Sequence, residues 1–289
     1  MEIERNRKNR TIKISQRTYI ENITEKFGLL DANPVYVPID SSYKPTANDI
    51  NKAQKRPNYN EFVTLFRSII GSCMYAQMLT RCDIGYAVSV LSKYLNSPTD
   101  THMKHAKRLL IYLYTTRKNG ITYGRDRSLN GYIYGMSDSD FAGDIDNRKS
   151  QTGWVFMYNG GAISWRSYQQ NCVALSTPEA EYLAASDAAK EGRSLLKLAN
   201  NILNKNVKTI NISVDNRAAE LWTQQPCQPS KTKQIDISYH HIRDEVAKGR
   251  IKVIPVPSSL NLADPLTKGL KRDQHEFLNE FIFGYKSPS

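Results

Sequence analysis

The sequence predicts an α/β (mixed α+β) fold, in which a mixed sheet with flanking helices follows a smaller, mostly helical N-terminal region. Two observations lead to this prediction. Residues 61–117 carry apolar side chains at helical spacing, whereas the chain after Gly120 changes to short alternating apolar runs separated by turns. The elements after Gly120 follow the order β-β-β-α-β-α-α-β-α, which is typical of a mixed sheet covered by helices.

The N-terminal region begins with a hairpin pattern. Isoleucines alternate with polar residues over residues 1–15, on either side of the turn-forming run Asn6-Arg7-Lys8-Asn9. A short helix ending at Gly28 follows, and residues 32–60 carry Pro, Asp, Ser and Asn without periodicity, which predicts a linker. Three further helices are predicted over residues 61–79, 84–95 and 99–117.

The sheet is predicted to begin with a strand at Tyr132–Met136. Two more strands, Gly153–Tyr158 and Ala162–Tyr168, are joined into a hairpin by the turn Asn159-Gly160-Gly161. A long helix begins at Ser176 or Thr177, where Pro178 suits the first turn. The remaining predicted elements are a strand at 208–214, helices at 216–224 and 236–248, a strand at 251–256 and a short helix from 261.

The charge of the chain is concentrated in its first half. Residues 1–125 carry 20 Lys and Arg against 10 Asp and Glu, a net charge of +10, whereas residues 126–289 carry 20 against 18, a net charge of +2. A basic excess of this kind is typical of proteins that bind nucleic acid or another polyanion, although a solubilising surface has the same composition.

Other classes of protein are not indicated. The four cysteines are widely spaced without a C-x-x-C pair, so neither a zinc site nor a disulfide framework is predicted. No apolar run approaches the roughly 20 residues of a membrane span, and the charged start is not a secretory signal. We therefore expect an intracellular protein with no membrane partner.

Four carboxylates occupy the ends of predicted elements. Asp138 and Asp215 follow strands, and Glu181 and Asp264 lie at helix starts. Successive acids are 43, 34 and 49 residues apart, so only the fold can bring them together. Clustered carboxylates repel one another unless cations are bound. Two Mg²⁺ ions about 4 Å apart would offset this charge and would also catalyse in-line phosphodiester hydrolysis; Mn²⁺ is a second possibility.

Long motifs near these acids resemble a known family. They are the run from Ser137 to Ala184 that includes SDSDFAGDIDNRKSQTGWVFMYNGG and STPEAEYLA, VDN at 214–216, SKTKQIDISYHHIRDEV at 230–246 and NLADPLTKGL at 261–270. In this order they resemble the ribonuclease H domain of copia-type LTR retrotransposon Pol polyproteins. The resemblance covers residues 120–270, and it implies a ribonuclease H-like mixed sheet.

The resemblance also implies a D-E-D-D site that both binds metal and catalyses. The four acids of the family fall on Asp138, Glu181, Asp215 and Asp264. The implied activity is Mg²⁺-dependent endonucleolytic hydrolysis of RNA in RNA·DNA hybrids, which leaves 3′-hydroxyl and 5′-phosphate ends. Asp140 lies two residues after Asp138 and would face the same side of a strand, so it remains open as an additional metal ligand.

The N-terminal region resembles the same polyprotein. TIKISQRTYIENITEKFGLLDANPVYVPID, FRSIIGSCMYAQMLTRCDIGYAVSVLSKYL and HMKHAKRLLIYLYTTRKNGITYG are similar to the thumb- or connection-like end of its reverse transcriptase. The chain contains no Asp-Asp pair, so we expect no polymerase activity from it alone. The predicted domains are 1–119 with the linker 32–60, ribonuclease H at 120–270, and a C-terminal helix and tail at 271–289.

Basic side chains near these motifs are candidates for nucleic-acid contacts. Such contacts would be mostly with the sugar-phosphate backbone, and Asn216 would bond a ribose hydroxyl. A solvated helix face is the alternative for the residues between 104 and 108. The basic candidates are Lys104, Lys107, Arg108, Lys231, Lys233 and Arg243.

Two other functions remain open. The first is a non-catalytic nucleic-acid-binding Pol fragment or relic that lacks the polymerase site. The second is an integrase or transposase, for which a D-D-E order of acids would be expected instead of D-E-D-D. The resemblance implies an RNA·DNA hybrid and the polymerase portion of reverse transcriptase as partners, and a location in cytoplasmic virus-like particles or the nucleus.

Overall fold

The protein is described by a computed structural model that covers residues 1–48, 53–124, 132–203, 207–216 and 233–286. Two sheets organise these residues: a three-stranded antiparallel sheet associated with the N-terminal helices, and a five-stranded mixed sheet. Helices pack beside both sheets, so the mixed α/β class predicted from the sequence is confirmed.

The N-terminal unit is built from the predicted hairpin and helices. Strands β1 (Glu2–Asn6) and β2 (Thr11–Ser15) pair antiparallel. The helices that follow them bury a core that includes Phe66, Leu91 and Leu110. The helices of this unit are α1 (Arg17–Lys26), α2 (Tyr59–Leu79), α3 (Gly85–Ser92) and α4 (Asp100–Thr115).

Helix α2 is the core helix of this unit. Among the described residues, it is the helix that is long and apolar enough by composition to cross a membrane. One of its faces, which includes Phe66, Ile70 and Cys73, is buried against the neighbouring helices. Glu61 and Arg67 interrupt its apolar sequence, and Arg67 bonds the Leu95 carbonyl oxygen at 2.8 Å. Burial in the helical core accounts for the apolar residues of this face, whereas Met74, Tyr75 and Met78 lie exposed on the rest of the helix.

The predicted linker is packed against the unit. Residues 32–48 contain no helix or strand. Ile39 is nevertheless buried, and the Val35 N–H donates to Thr115 Oγ1 at 3.1 Å. Strand β3 (Gly120–Tyr123) pairs with β2, so the predicted boundary after residue 119 falls at the start of a strand of the N-terminal sheet.

The second sheet consists of β4 (Ile133–Asp140), β5 (Gln151–Tyr158), β6 (Gly161–Gln169), β7 (Ile210–Val214) and β8 (Ile251–Pro255). Their order across the sheet is β6-β5-β4-β7-β8. Strands β4, β5 and β6 form an antiparallel meander, and β7 and β8 run parallel to β4. Asn159 and Gly160 both have positive φ, 47° and 86°, which is the conformation of a tight two-residue hairpin turn.

Both faces of this sheet are covered. Trp154 and Phe156 of β5 pack toward α5 (Thr177–Leu203) and α6 (Lys233–Ala247). Val155 and Met157 alternate with them and pack toward α7 (Arg272–Ile282) on the other face. The apolar run of β5 is therefore continuous because each of its faces is buried. The predicted helix at 216–224, beyond Asn216, and the loop that follows it lie outside the described residues.

A buried polar network joins the helical unit to α7. Arg81 is fully buried and forms a two-bond pair with Asp83, from Nε to Oδ1 at 2.9 Å and from Nη2 to Oδ2 at 2.7 Å. The Tyr112 hydroxyl donates to Asp83 Oδ2 at 2.6 Å and lies 3.0 Å from His275 Nε2 of α7. Three distant segments are thereby held together by charge-assisted hydrogen bonds.

Candidate active site

Two of the predicted acids are brought together by strand pairing. β4 and β7 are parallel neighbours with Met136 opposite Ser213. Two residues further along each strand are Asp138 and Asp215, so continuation of the register places both carboxylates at the same edge of the sheet. This edge lies at the carboxyl ends of the parallel strands, where ligands commonly bind in α/β folds.

The third acid, Asp264, comes from the chain after β8. It begins the single 3₁₀ turn Asp264–Leu266, in place of the short helix predicted from residue 261. Asn261 anchors this segment to β4, because its side-chain amide donates to the Ser137 carbonyl oxygen at 3.0 Å. Gly153 is also required: a Cβ at this position would lie 2.8 Å from Leu266 Cβ and 2.7 Å from a Thr267 methyl carbon. Glycine in β5 therefore lets the turn approach the sheet.

Asp138, Asp215 and Asp264 form a compact acidic triad. One carboxylate oxygen from each residue lies within 4.8 Å of the other two. Asp138 and Asp264 are each 2% exposed, and Asp215 is half-buried. Such a set of hard oxygen donors is suited to a divalent cation such as Mg²⁺. The structure thus brings together three of the four acids that the sequence singled out.

Glu181 lies beside this triad. It is one turn into α5, because the helix begins at Thr177, and not in the first turn as expected. Its Oε1 accepts a hydrogen bond from the Ser139 N–H at 3.2 Å, so the side chain reaches β4 next to Asp138. Its Oε2 is buried without a hydrogen-bond partner. A buried, unpartnered carboxylate oxygen beside three aspartates is a donor that a cation would satisfy.

Small side chains explain the reach of Glu181. Ala184, Ala185 and Ala188 of α5 are fully buried against the sheet. Alanine at these positions lets the first half of the helix lie close to the strands. The helix start is held by Ser176, whose Oγ accepts from the Glu179 N–H at 3.4 Å.

Burial and mutual repulsion raise the pKa values of the site. Burial raises the pKa of Asp138 to about 7, and Asp264 and Asp215 add to the rise while Lys268 opposes it. The pKa of Glu181 is raised well above its ordinary value by burial and by Asp138 and Asp215. The pKa of Asp264 is also raised, mainly by burial. The negative charge of these acids is therefore poorly compensated when no cation is bound.

The sequence did not single out two further residues of the site. Lys268 Nζ lies 3.0 Å from Asp264 Oδ1 and 3.7 Å from Asp138 Oδ2. Thr267 donates its hydroxyl hydrogen to Asp138 Oδ2. Burial lowers the pKa of Lys268, but the nearby carboxylates outweigh this effect and raise it above the ordinary value. In the sequence, the spacing of four residues between Asp264 and Lys268 was the available signal for a contact between them.

Asp140 is engaged away from the triad. Its Oδ2 lies 3.2 Å from Lys44 Nζ, on the N-terminal unit. The loop after β4 continues this contact, because Asp144 pairs with Lys93 at 2.9 Å and Asp146 accepts from Thr46 Oγ1 at 2.8 Å. The N-terminal unit therefore holds the end of the strand that carries Asp138. A role for Asp140 as a metal ligand stays a prediction.

The predicted nucleic-acid contacts are distributed over several surfaces. Asn216 directly follows Asp215 of the triad, and Arg243 is half-buried on α6. Lys231 and the side chain of Lys233 lie outside the described residues. The structure does bring together one group, Lys104, Lys107 and Arg108, which line a groove beside α4.

The mixed sheet and its buried acids define a mixed α/β fold with a candidate metal site. No family model matches the chain. The chain is 38% identical over 283 residues to the retrovirus-related Pol polyprotein from transposon TNT 1-94 of Nicotiana tabacum. This match covers 98% of this chain and 21% of that protein. The chain is 34% identical over 270 residues to the retrovirus-related Pol polyprotein from transposon RE2 of Arabidopsis thaliana. This match covers 93% of this chain and 18% of that protein.

The chain belongs to the family of retrovirus-related transposon Pol polyproteins, and it spans about a fifth of the length of these relatives. A shorter relative is the secreted RxLR effector protein 161 of Plasmopara viticola. It is 42% identical over 126 residues, which cover 44% of this chain and 87% of that protein. The sequence-based recognition of a Pol polyprotein is therefore confirmed.

Solved structures with similar folds include ribonuclease H1 of Halobacterium salinarum, at 16% identity and a TM-score of 0.35 over 47% of this chain and 94% of that one. Another is a foamy viral protease-reverse transcriptase bound to double-stranded DNA, at 11% identity and a TM-score of 0.41 over 74% of this chain and 35% of that one. Both TM-scores are below 0.5, so the family assignment comes from the sequence relatives.

Proposed function

We propose that this chain is an Mg²⁺-dependent endonuclease that hydrolyses the RNA strand of RNA·DNA hybrids as part of a retrotransposon Pol polyprotein. The observation that carries the proposal is the acidic triad of Asp138, Asp215 and Asp264, with Glu181 beside it. Its substrate and metal are those that the sequence resemblance to copia-type Pol polyproteins implies. In a complete element, the activity would remove the RNA template during reverse transcription, with the polymerase portion as partner.

The residues of the site divide into two groups in this proposal. The triad would hold the metal, and Glu181 would supply a further oxygen through its unpartnered Oε2. Bound ions would activate the attacking water and stabilise the leaving oxygen. Thr267 and Lys268 would orient Asp138 and Asp264, because they bond these carboxylates directly. An intracellular location, in cytoplasmic particles or the nucleus, remains a prediction from the sequence.

The test is cleavage of an end-labelled RNA strand annealed to DNA by the purified chain with Mg²⁺. Asp215→Asn should lower the rate by more than about 100-fold, because loss of an outer-shell partner alone costs 10–100-fold. Asp244→Asn is the matched control, since this acid is exposed on α6 and pairs only with Lys248 among the described residues. Its activity should equal that of the unchanged chain.

Two results would contradict the proposal. The first is cleavage that persists in EDTA or in Asp215→Asn, which would point to a contaminating nuclease. The second is salt-sensitive binding of the hybrid without any cleavage by the unchanged chain. That outcome would favour the second candidate, a non-catalytic nucleic-acid-binding Pol fragment, which is consistent with the lack of an Asp-Asp pair in the sequence.

A further inference from the structure

A groove lies beside helix α4, separate from the acidic triad. Its walls are one face of α4, the segment from Leu29 to Lys44, and Ile145 from the loop after β4. Its volume is about 1110 Å³. Sites for small molecules are typically about 300–1,000 Å³. The α4 groove is therefore large enough for a piece of an extended chain.

The α4 groove carries an excess of positive charge. Lys104, Lys107 and Arg108 line it, and none of the three has an ion-pair partner among the described residues. Asp100 pairs with Arg56 at 2.6 Å, whereas Asp40, which accepts from the Ser42 N–H at 2.9 Å, offsets part of the charge of Arg108. The remaining excess of cations on one wall attracts a polyanion such as a nucleic-acid backbone.

Aromatic surface lies among these cations. The rings of Tyr43 and His105 stack with centroids 3.5 Å apart and an angle of 12° between their planes, and both residues line the groove. Burial lowers the pKa of His105 to about 4, with help from Arg108 and Lys104, so the ring is neutral at pH 7. A neutral aromatic pair between cations is the combination that single-stranded nucleic-acid sites use, since bases stack on the rings while phosphates meet the charges.

Hydrogen bonding beside the groove is incomplete. Tyr43 Oη, His105 Nδ1 and Arg108 Nε are buried without a hydrogen-bond partner, although almost all buried polar atoms in folded proteins have one. All three belong to side chains that line the groove. Small rotations of these side chains would let a phosphate or a base edge complete the missing bonds, and this would favour occupation of the groove.

The groove also reaches the end of β4. Lys44 lines the groove and pairs with Asp140, which is two residues from Asp138 on the same strand. Ile145 of the adjoining loop forms part of the wall. A nucleic-acid segment in the groove would therefore lie beside the end of β4.

We propose that the α4 groove binds a single-stranded segment of nucleic acid, with Lys104, Lys107 and Arg108 on its phosphates and the Tyr43–His105 stack against its bases. The identification of this segment as an unpaired extension of the hybrid rests on the proposed function. The binding itself does not, because it requires neither the metal nor the triad.

The test measures binding of a fluorescein-labelled 12-nucleotide oligo(dT) by fluorescence anisotropy in EDTA, so that cleavage plays no part. Lys104→Glu combined with Lys107→Glu should weaken binding by at least about 10-fold, and the slope of log K against log salt should fall by about 1.4, or 0.7 for each lost phosphate contact. The matched control is Lys8→Glu with Lys252→Glu, which makes the same change of charge at exposed sites away from the groove.

A second variant, His105→Ala, tests the aromatic contribution. It should weaken binding by roughly 10-fold without a change in the salt slope, because stacking on a ring is independent of counterion release. Thermal unfolding of each variant would check that it is folded. The proposal is overturned if the groove variants bind the oligonucleotide as the control does. Equal weakening toward blunt duplex DNA would also overturn it, since this would indicate a general backbone contact and not a single-strand site.

Discussion

Replacement of Asp138 by Asn should stabilise the protein when no divalent metal is present. Asp138 is buried at the triad and its pKa is raised from 3.8 to about 7, first by burial and then by Asp264. The folded state therefore binds more protons than the unfolded state between pH 4 and 7. Ionisation of this carboxyl lowers the free energy of unfolding. The loss is zero below pH 4 and reaches its full size above pH 7.

The size of the effect follows from the rise in pKa. A rise from 3.8 to about 7 corresponds to roughly 4 kcal/mol, at about 1.4 kcal/mol for each pKa unit. The carboxylates of the site titrate together, so this value is an upper bound and we expect a gain of about 1–3 kcal/mol for Asp138→Asn at pH 8. Asparagine preserves the acceptor for the Thr267 hydroxyl, so this hydrogen bond does not offset the gain.

The assay is thermal unfolding at pH 5 and pH 8, with EDTA or with Mg²⁺. A chain of this size should gain about 2–4 °C in Tm for each kcal/mol, so Asp138→Asn should unfold several degrees above the unchanged chain at pH 8 in EDTA. With Mg²⁺ the order should reverse, because the ion stabilises only the folded chain that has its ligands. Asp244→Asn should show neither change. If Asp138→Asn is no more stable than the unchanged chain at pH 8 in EDTA, the reasoning from burial is wrong.

Two other predictions concern the packing around the site. Asp83→Ala should lower the free energy of unfolding by about 3–5 kcal/mol, because it leaves the buried Arg81 guanidinium without its partner. Urea titration measures this change. The control Asp31→Ala, at an exposed position, should change the free energy of unfolding by less than about 0.5 kcal/mol. Gly153→Ala should lower the free energy of unfolding by about 1–3 kcal/mol and reduce hybrid cleavage, because the added methyl group meets Leu266. Cleavage at the unchanged rate would show that the turn does not need this close approach.

Much of the fold was predictable from local patterns. The helices at residues 59–79 and 100–115 and the meander of β4, β5 and β6 agree with the predicted spans to within a few residues, except that β4 extends to Asp140. Their signals lie within each element, as apolar spacing, caps and the Asn159-Gly160 turn. Residues 32–60 show where this approach fails, because a segment without periodicity reads as a linker even though Ile39 is buried in a core.

The four candidate acids were predicted by their positions at element ends and by the resemblance to a family, but their arrangement was not. Sequence alone left Asp140 open as a ligand beside Asp138. Tertiary packing directs Asp140 toward Lys44, which lies 96 residues away in the chain. Lys268 was missed for a related reason, since a lysine four residues after an acid is common on helix surfaces and only the position of the turn shows that it also reaches Asp138.

The sequence by itself determined the order of helices and strands, the basic N-terminal region, the family and the acids of the site. These features depend on residue type and on neighbours within a few positions. Only the tertiary structure decided that Asp138, Asp215 and Asp264 meet within 4.8 Å, that Lys44 holds the end of β4 and that an aromatic stack lies in a cationic groove. The physical reason is that these contacts join residues tens to more than a hundred positions apart, and their geometry is set by strand register and close packing.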